Sequence, residues 1–150
     1  MINNILVPVD GSECAMRAAQ YAAELAKFNP NSKVTVFTVD RIPRSYISRR
    51  LYWVAADWGE QGKHIREVFA EERQRILEQA EAVFKEKGIN VQSDYGAGNP
   101  AEEISEYARK HGVDLIVMGT RGMSNLKEIF LGSVSHKVLQ MAPCPVILIK

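Results

Sequence analysis

An α/β fold is predicted for this chain, with one mostly parallel five-stranded sheet covered by helices on both faces. Three observations predict it. Strand-like and helix-like runs alternate along the 150 residues. The run Asp114-Leu115-Ile116-Val117-Met118 is almost wholly apolar, as a strand buried in a parallel sheet should be. Small, ligand-like residues follow two of the strands: Asp10-Gly11-Ser12 after the first and Gly119-Thr120-Arg121-Gly122 after the fourth.

The elements follow in order. Ile5-Leu6-Val7-Pro8-Val9 is the first strand. Ser12 is placed to cap the next helix, where Ala15, Ala18, Ala22, Leu25 and Ala26 share one face. Asn29-Pro30-Asn31 turns the chain into a second strand, Val34–Val39. A long helix is expected over roughly 64–87, with Ile65, Phe69, Ile76, Ala80 and Val83 inward and Gly88 as its stop. Ile89–Tyr95 alternates apolar and polar, the pattern of an edge or half-covered strand. Asn99-Pro100-Ala101-Glu102 opens a helix with a cap, a first-position proline and an acidic turn, and it ends near His111-Gly112. After the fourth strand and the glycine loop comes a helix from about Gly132 to Ala142, stopped by Pro143 and Pro145. Val146-Ile147-Leu148-Ile149 is the last strand.

Open sheets of this kind bind ligands beyond the strand C-termini, where the strand order reverses. If strands one and four are neighbours, the Asp10 and Gly119 loops flank one crevice, and the order is 3-2-1-4-5. Gly119, Gly122, Gly132 and Ser133 fit G-x2-G-x9-G-[ST]. That pattern should arise by chance in about one chain of this length in two hundred. Its place between a strand and a helix points to phosphate, because free N–H groups and the positive end of the helix attract an anion. Gly119 and Gly122 would shape the loop beneath the phosphates; a plain turn is the competing role. Ser133 and Ser135 carry hydroxyls that can donate to phosphate or cap the helix. Arg121 and Lys127 are candidates to neutralise phosphate, or else solvated surface. Asp10 suits a ribose hydroxyl or a water-held metal, or an Asx turn before Ser12. Val39 offers backbone groups and an apolar wall to a base.

Other chemistry is not signalled. There is no G-x-x-x-x-G-K-[ST] and no G-x-G-x-x-G after the first strand, which favours a mononucleotide over P-loop or dinucleotide binding. No Ser-His-Asp set or carboxylate pair stands out, so no catalytic residue is assigned. His64, His111 and His136 match no metal spacing. Cys14 and Cys144 form no C-x-x-C and suggest a reducing, cytoplasmic setting; Cys14 reads best as a packed thiol. The net charge of +1 gives no global attraction to nucleic acid or anionic lipid. Neither a secretory leader at Met1-Ile2-Asn3-Asn4 nor a membrane-spanning run is expected. Residues 40–63 read as an irregular excursion in which Arg44, Tyr46, Arg49, Arg50, Tyr52, Trp53 and Trp58 mix charge and aromatic surface: a stacking patch for RNA or single-stranded DNA is one reading, but a lid over the nucleotide or an interface is favoured, since nothing else in the chain supplies a basic groove. The apolar last strand falls at a sheet edge, which pairing with a second copy would cover, so a homodimer through Val146, Ile147, Leu148 and Ile149 is expected.

Taken together, Ile5–Ser12, the helix start after Gly98, Asp114–Gly119, the G-x2-G-x9-G-[ST] element and Pro143-Cys144-Pro145-Val146 make this chain similar to the universal stress protein family, over its whole length. The resemblance implies one domain over 1–150 with a Rossmann-like α/β fold, a three-layer sandwich of the adenine nucleotide alpha hydrolase type. It implies dimerisation through the final strand, a cytoplasmic stress-response role with a protein partner yet to be defined, and membership of the ATP-binding branch. Matching positions imply nucleotide contacts at Pro8, Asp10, Val39, Met118, Gly119, Arg121, Gly122, Gly132, Ser133, Val134 and Ser135; Val9, between the first two, joins the candidate set. The expected function is therefore ATP-dependent regulation with slow or no hydrolysis. An adenylate-forming or ATP pyrophosphatase-type enzyme and a nucleotide-free interaction module are the rival readings. Whether ATP, ADP or AMP is the resting ligand, and whether Mg²⁺ accompanies it, is open in the sequence.

Overall fold

In the computed structural model, residues 2–41, 59–121 and 131–150 are described, with side chains in the helix that begins at Gly59 described from Glu67 onward. Strands β1 (Asn4–Pro8), β2 (Lys33–Arg41), β3 (Val91–Gly98), β4 (Leu115–Gly119) and β5 (Val146–Ile149) form one sheet. The order is β3-β2-β1-β4-β5 and every pairing is parallel. The register sets Ile5 beside Val34 on one side and Leu115 on the other. The chain moves outward from β1 in one direction and returns to its other side at β4, so the order reverses between β1 and β4, as the crevice argument requires.

Helices α1 (Glu13–Phe28) and α2 (Gly59–Glu86) cover one face; α3 (Pro100–Lys110) and α4 (Ser133–Met141) cover the other. The first face holds Ile5, Val7, Val34, Val36, Leu115 and Val117 against an inner stripe of α1 made of alanines: Ala15, Ala18, Ala19, Ala22, Ala23 and Ala26. The second face holds Leu6, Phe37, Ile116 and Met118 against Ala101, Ile104, Ala108 and Val138. Adjacent strand residues enter opposite clusters, as the two-residue period of a strand demands.

Local signals behave as read. The Ser12 hydroxyl accepts the Ala15 N–H at 3.2 Å. Asn99 caps α3 by accepting from Ala101 and Glu102, ahead of Pro100. Gly88 follows α2 at φ +69°, a conformation in which a side chain is strained. Most boundaries differ by one residue; β2, α2 and β3 differ by more. β2 continues two residues past Val39 to Arg41, because β3 pairs alongside it as far as Gly98. α2 begins at Gly59, earlier than the 64 expected. The excursion therefore shrinks to 42–58, and Arg44, Tyr46, Arg49, Arg50, Tyr52, Trp53 and Trp58 lie outside the described residues. The inward stripe of α2 is also shifted: Ile76 and Ala80 are buried as expected, but Leu77 and Phe84 complete the contact while Phe69 and Val83 are half-covered. β3 runs over Val91–Gly98 and is an edge strand with Gln92–Tyr95 exposed.

Candidate functional site

A cleft opens at the C-terminal edge of β1, β2 and β4, on the side of α3 and α4. It encloses about 780 Å³ of space, its open mouth included. Pro8, Val9, Asp10, Val39, Met118, Gly119, Arg121, Gly132, Ser133, Val134 and Ser135 all line it. Gly122 and Lys127 lie outside the described residues. The lining adds Ala15, Phe37, Arg41, Pro100 and Ile104, which sequence reasoning did not single out. Phe37, Val39, Ile104, Met118 and Val134 make the apolar wall.

The β1 corner is built by short-range hydrogen bonds. The Val9 N–H donates to the Phe37 carbonyl at 2.8 Å, carrying the ladder one residue past the strand. Asp10 Oδ1 accepts the Ser12 N–H at 3.0 Å, the Asx turn that was its competing role. Its Oδ2 stands 3.6 Å from Arg41 Nη2. Gly11 turns at φ +80°, and Ile76 of α2 is 3.3 Å from where its side chain would begin. The Ser12 hydroxyl also donates to the Arg121 carbonyl at 3.4 Å, tying the first loop to the fourth.

The opposite corner turns on Thr120. Its N–H donates to the Ile149 carbonyl at 2.8 Å, and its carbonyl accepts the Gly132 N–H at 2.7 Å. The Ser135 hydroxyl lies 2.8 Å from that same carbonyl and 2.9 Å from the carbonyl of Gly132. With a single proton, the hydroxyl serves one of those carbonyls at a time. Ser135 is thus a buried staple across the loop, and Ser133 is the exposed hydroxyl at the helix start. Gly132 is the N-cap of α4 with no side-chain hydrogen bond, and the first turn holds no acidic residue. The His136 N–H is the first to bond back, to Gly132 at 2.9 Å. The N–H groups of Ser133, Val134 and Ser135 precede it and have no acceptor within the helix.

Gly119 has a packing reason to be glycine besides the one expected. A Cβ there would stand 2.8 Å from the carbonyl carbon and Cβ of Cys14 and 2.9 Å from the Ala15 nitrogen. The missing side chain lets α1 press against the end of β4, while the backbone of Gly119 lines the cleft. Gly132 is also confined, with the Thr120 oxygen 3.0 Å from a Cβ position. Cys14 is buried, and its Sγ accepts from Arg17 Nη2 at 3.0 Å, as a packed thiol.

Asp40, next to the cleft in sequence, points to the other face. It is 5 % exposed and ion-paired to Arg73 Nη1 at 2.5 Å. Burial raises its carboxyl above the ordinary value, with Arg73 opposing. The Arg73 guanidinium lies 3.9 Å above the Tyr95 ring. Burial likewise raises the Cys144 thiol, helped by Asp114, and the Tyr107 hydroxyl, helped by Asp94. His111 stacks on Tyr107 at 4.0 Å and His136 sits 3.2 Å from Gln140, both away from the cleft. Among the described residues no three His, Cys, Asp or Glu converge as a metal would need, and no helix is long and apolar enough to cross a membrane.

Comparison with known proteins matches this architecture. The profile of the universal stress protein family fits residues 1–150. Universal stress protein YxiE of Bacillus subtilis is 38 % identical over 153 residues, all of both chains. The solved structure of MJ0577 from Methanocaldococcus jannaschii superposes with a TM-score of 0.80 at 29 % identity, covering 100 % of this chain and 96 % of that one. A universal stress protein from Archaeoglobus fulgidus, solved in complex with dAMP, shares the fold at TM-score 0.67 and 24 % identity over the whole of both chains.

Proposed function

This chain belongs to the universal stress protein family, and from that premise we propose that it binds ATP, or ADP or AMP in its place, in the cleft at the ends of β1, β2 and β4. One observation carries the reading: the uncapped first turn of α4 and Asp10 line the same apolar-walled cleft. The N–H groups of Ser133, Val134 and Ser135 and the positive helix end suit a phosphate chain. Val39 and its neighbours suit a base, and Asp10 suits the ribose between. Pro8, Val9, Met118 and Gly119 line the same cleft, and Arg121 suits the phosphate side. That a family member holds dAMP supports an adenine nucleotide in this fold.

The nucleotide would act as a regulatory ligand. Among the described residues we read no general base set for rapid hydrolysis, so turnover would be slow or nil. We extend the proposal to a cytoplasmic stress-response protein acting through a protein partner, with Mg²⁺ travelling on the phosphates. We also propose a homodimer joined through Val146–Ile149, since β5 ends the sheet with its four apolar residues only partly covered. A dimer mass in light scattering at micromolar concentration checks that part; a monomer mass removes it.

The test of the central reading is mass spectrometry of the freshly purified, denatured protein, with Gly132→Asp alongside. Wild type should release an adenine nucleotide. The variant should release none while its circular dichroism is retained, because a carboxylate would sit where phosphate is held. Wild type that neither carries nor takes up ATP overturns the proposal.

A further inference from the structure

Resting on the nucleotide reading above, we infer that Arg41 and Asp10 together read a ribose hydroxyl, so that the cleft selects ribonucleotides over deoxyribonucleotides. Arg41 ends β2 on the same strand face as Val39, two residues earlier, and both line the cleft. Its backbone is held in register beside Gly98 of β3. Asp10 is held by the Ser12 N–H through Oδ1, leaving Oδ2 for other partners.

The spacing of the pair is the informative quantity. At 3.6 Å, Arg41 Nη2 and Asp10 Oδ2 attract one another but exceed the range of a direct N–H···O bond. A hydroxyl oxygen can approach both at hydrogen-bond distance. It then donates its proton to the carboxylate and accepts from the guanidinium, using both of its capacities at once. Either group alone would engage only one. As a stability element the pair has little value, because Arg41 is 57 % exposed and solvated ion pairs contribute little. A deoxy sugar leaves both charged groups without that partner. Water reaches this part-exposed mouth and softens the loss, so the discrimination expected is about tenfold, below that of a fully enclosed hydroxyl site.

The test measures Kd by titration calorimetry for ATP, 2′-deoxy-ATP and 3′-deoxy-ATP, on wild type, Arg41→Gln, Asp10→Asn and the double variant. Wild type should prefer ATP over at least one deoxy analogue by about tenfold. Arg41→Gln should collapse that ratio to near one by weakening ATP, and any analogue that keeps the hydroxyl read, without weakening the analogue that lacks it; the double variant should lose no more selectivity than either single one. A preference that survives Arg41→Gln, an equal weakening of all three ligands, additive losses in the double variant, or equal wild-type affinity for all three overturns this inference and leaves the nucleotide reading standing. Wild type that binds none of the three overturns both.

Discussion

The two faces of the sheet are packed to different tolerances. On the α1–α2 face the alanine stripe of α1 lies so close to the strands that the end of β4 has no room for a single Cβ. On the α3–α4 face the contacts run through larger side chains, Phe37, Met118 and Ile104, and toward the strand C-termini they part to leave the cleft. The lesson is a division of labour. A cleft cannot be close-packed, so the strand ends that frame it must be held from the opposite side. Gly119 belongs to both faces: its absent side chain serves the tight one and its backbone lines the open one.

The largest expected effect breaks the tight face. Gly119→Ala should lower stability by about 1–3 kcal/mol in urea unfolding, as overpacking does when backbone atoms are in the way. An unchanged midpoint would mean that α1 is free to move and that the two faces do not differ. A smaller loss is expected on the cleft side. Ser135→Ala removes the hydroxyl that staples Thr120 to Gly132 and should cost about 1 kcal/mol, since the Thr120 carbonyl keeps the Gly132 N–H. If Ser135→Ala proves costlier than Gly119→Ala, the ranking of the faces is inverted.

The smallest effect is a pH dependence that sharpens the comparison at Asp40, a carboxylate on the tight face. Burial raises its folded-state value above 3.8, with Arg73 opposing. The folded chain therefore holds this proton more readily than the unfolded chain does. Its contribution to stability is fully present below the unfolded value and is lost as pH rises through the raised folded value. Asp40→Asn cannot titrate, so the difference in unfolding free energy, wild type minus variant, should shift toward wild type as pH falls through that window. A flat difference, or one that shifts toward the variant, would make Arg73 rather than burial the dominant influence. Glu24 and Glu72, lowered by lysine and arginine partners, respond in the opposite sense and are common to both proteins.

Much of this was readable before any coordinates. The strands follow from apolar runs, the helix starts from Ser12 and Asn99, and the strand order from two loops that must share a crevice. What escaped were properties that depend on partners distant in the chain. A glycine that lets a helix approach and a glycine that lets a ligand approach look alike in sequence, so the packing role of Gly119 against α1 was not legible. Asp40-Arg41 looks like the start of a loop, because charges at a strand end are ordinarily solvated. Only Arg73, 33 residues on, and the extended partner β3 keep that dipeptide in the sheet. Arg41 was missed for that cause alone. The Ser135 hydroxyl was legible as a donor; its acceptor, the Thr120 carbonyl, was not.

Thr120 joins two parts of the molecule through one amino acid: its amide hydrogen anchors the outermost strand at Ile149, and its oxygen anchors the start of the last helix. Whatever grips that strand from outside tugs on the same hub as whatever fills the groove from within. Thermodynamic reciprocity then makes the exchange two-way: if self-association tightens nucleotide capture by some factor, nucleotide must tighten self-association by that same factor.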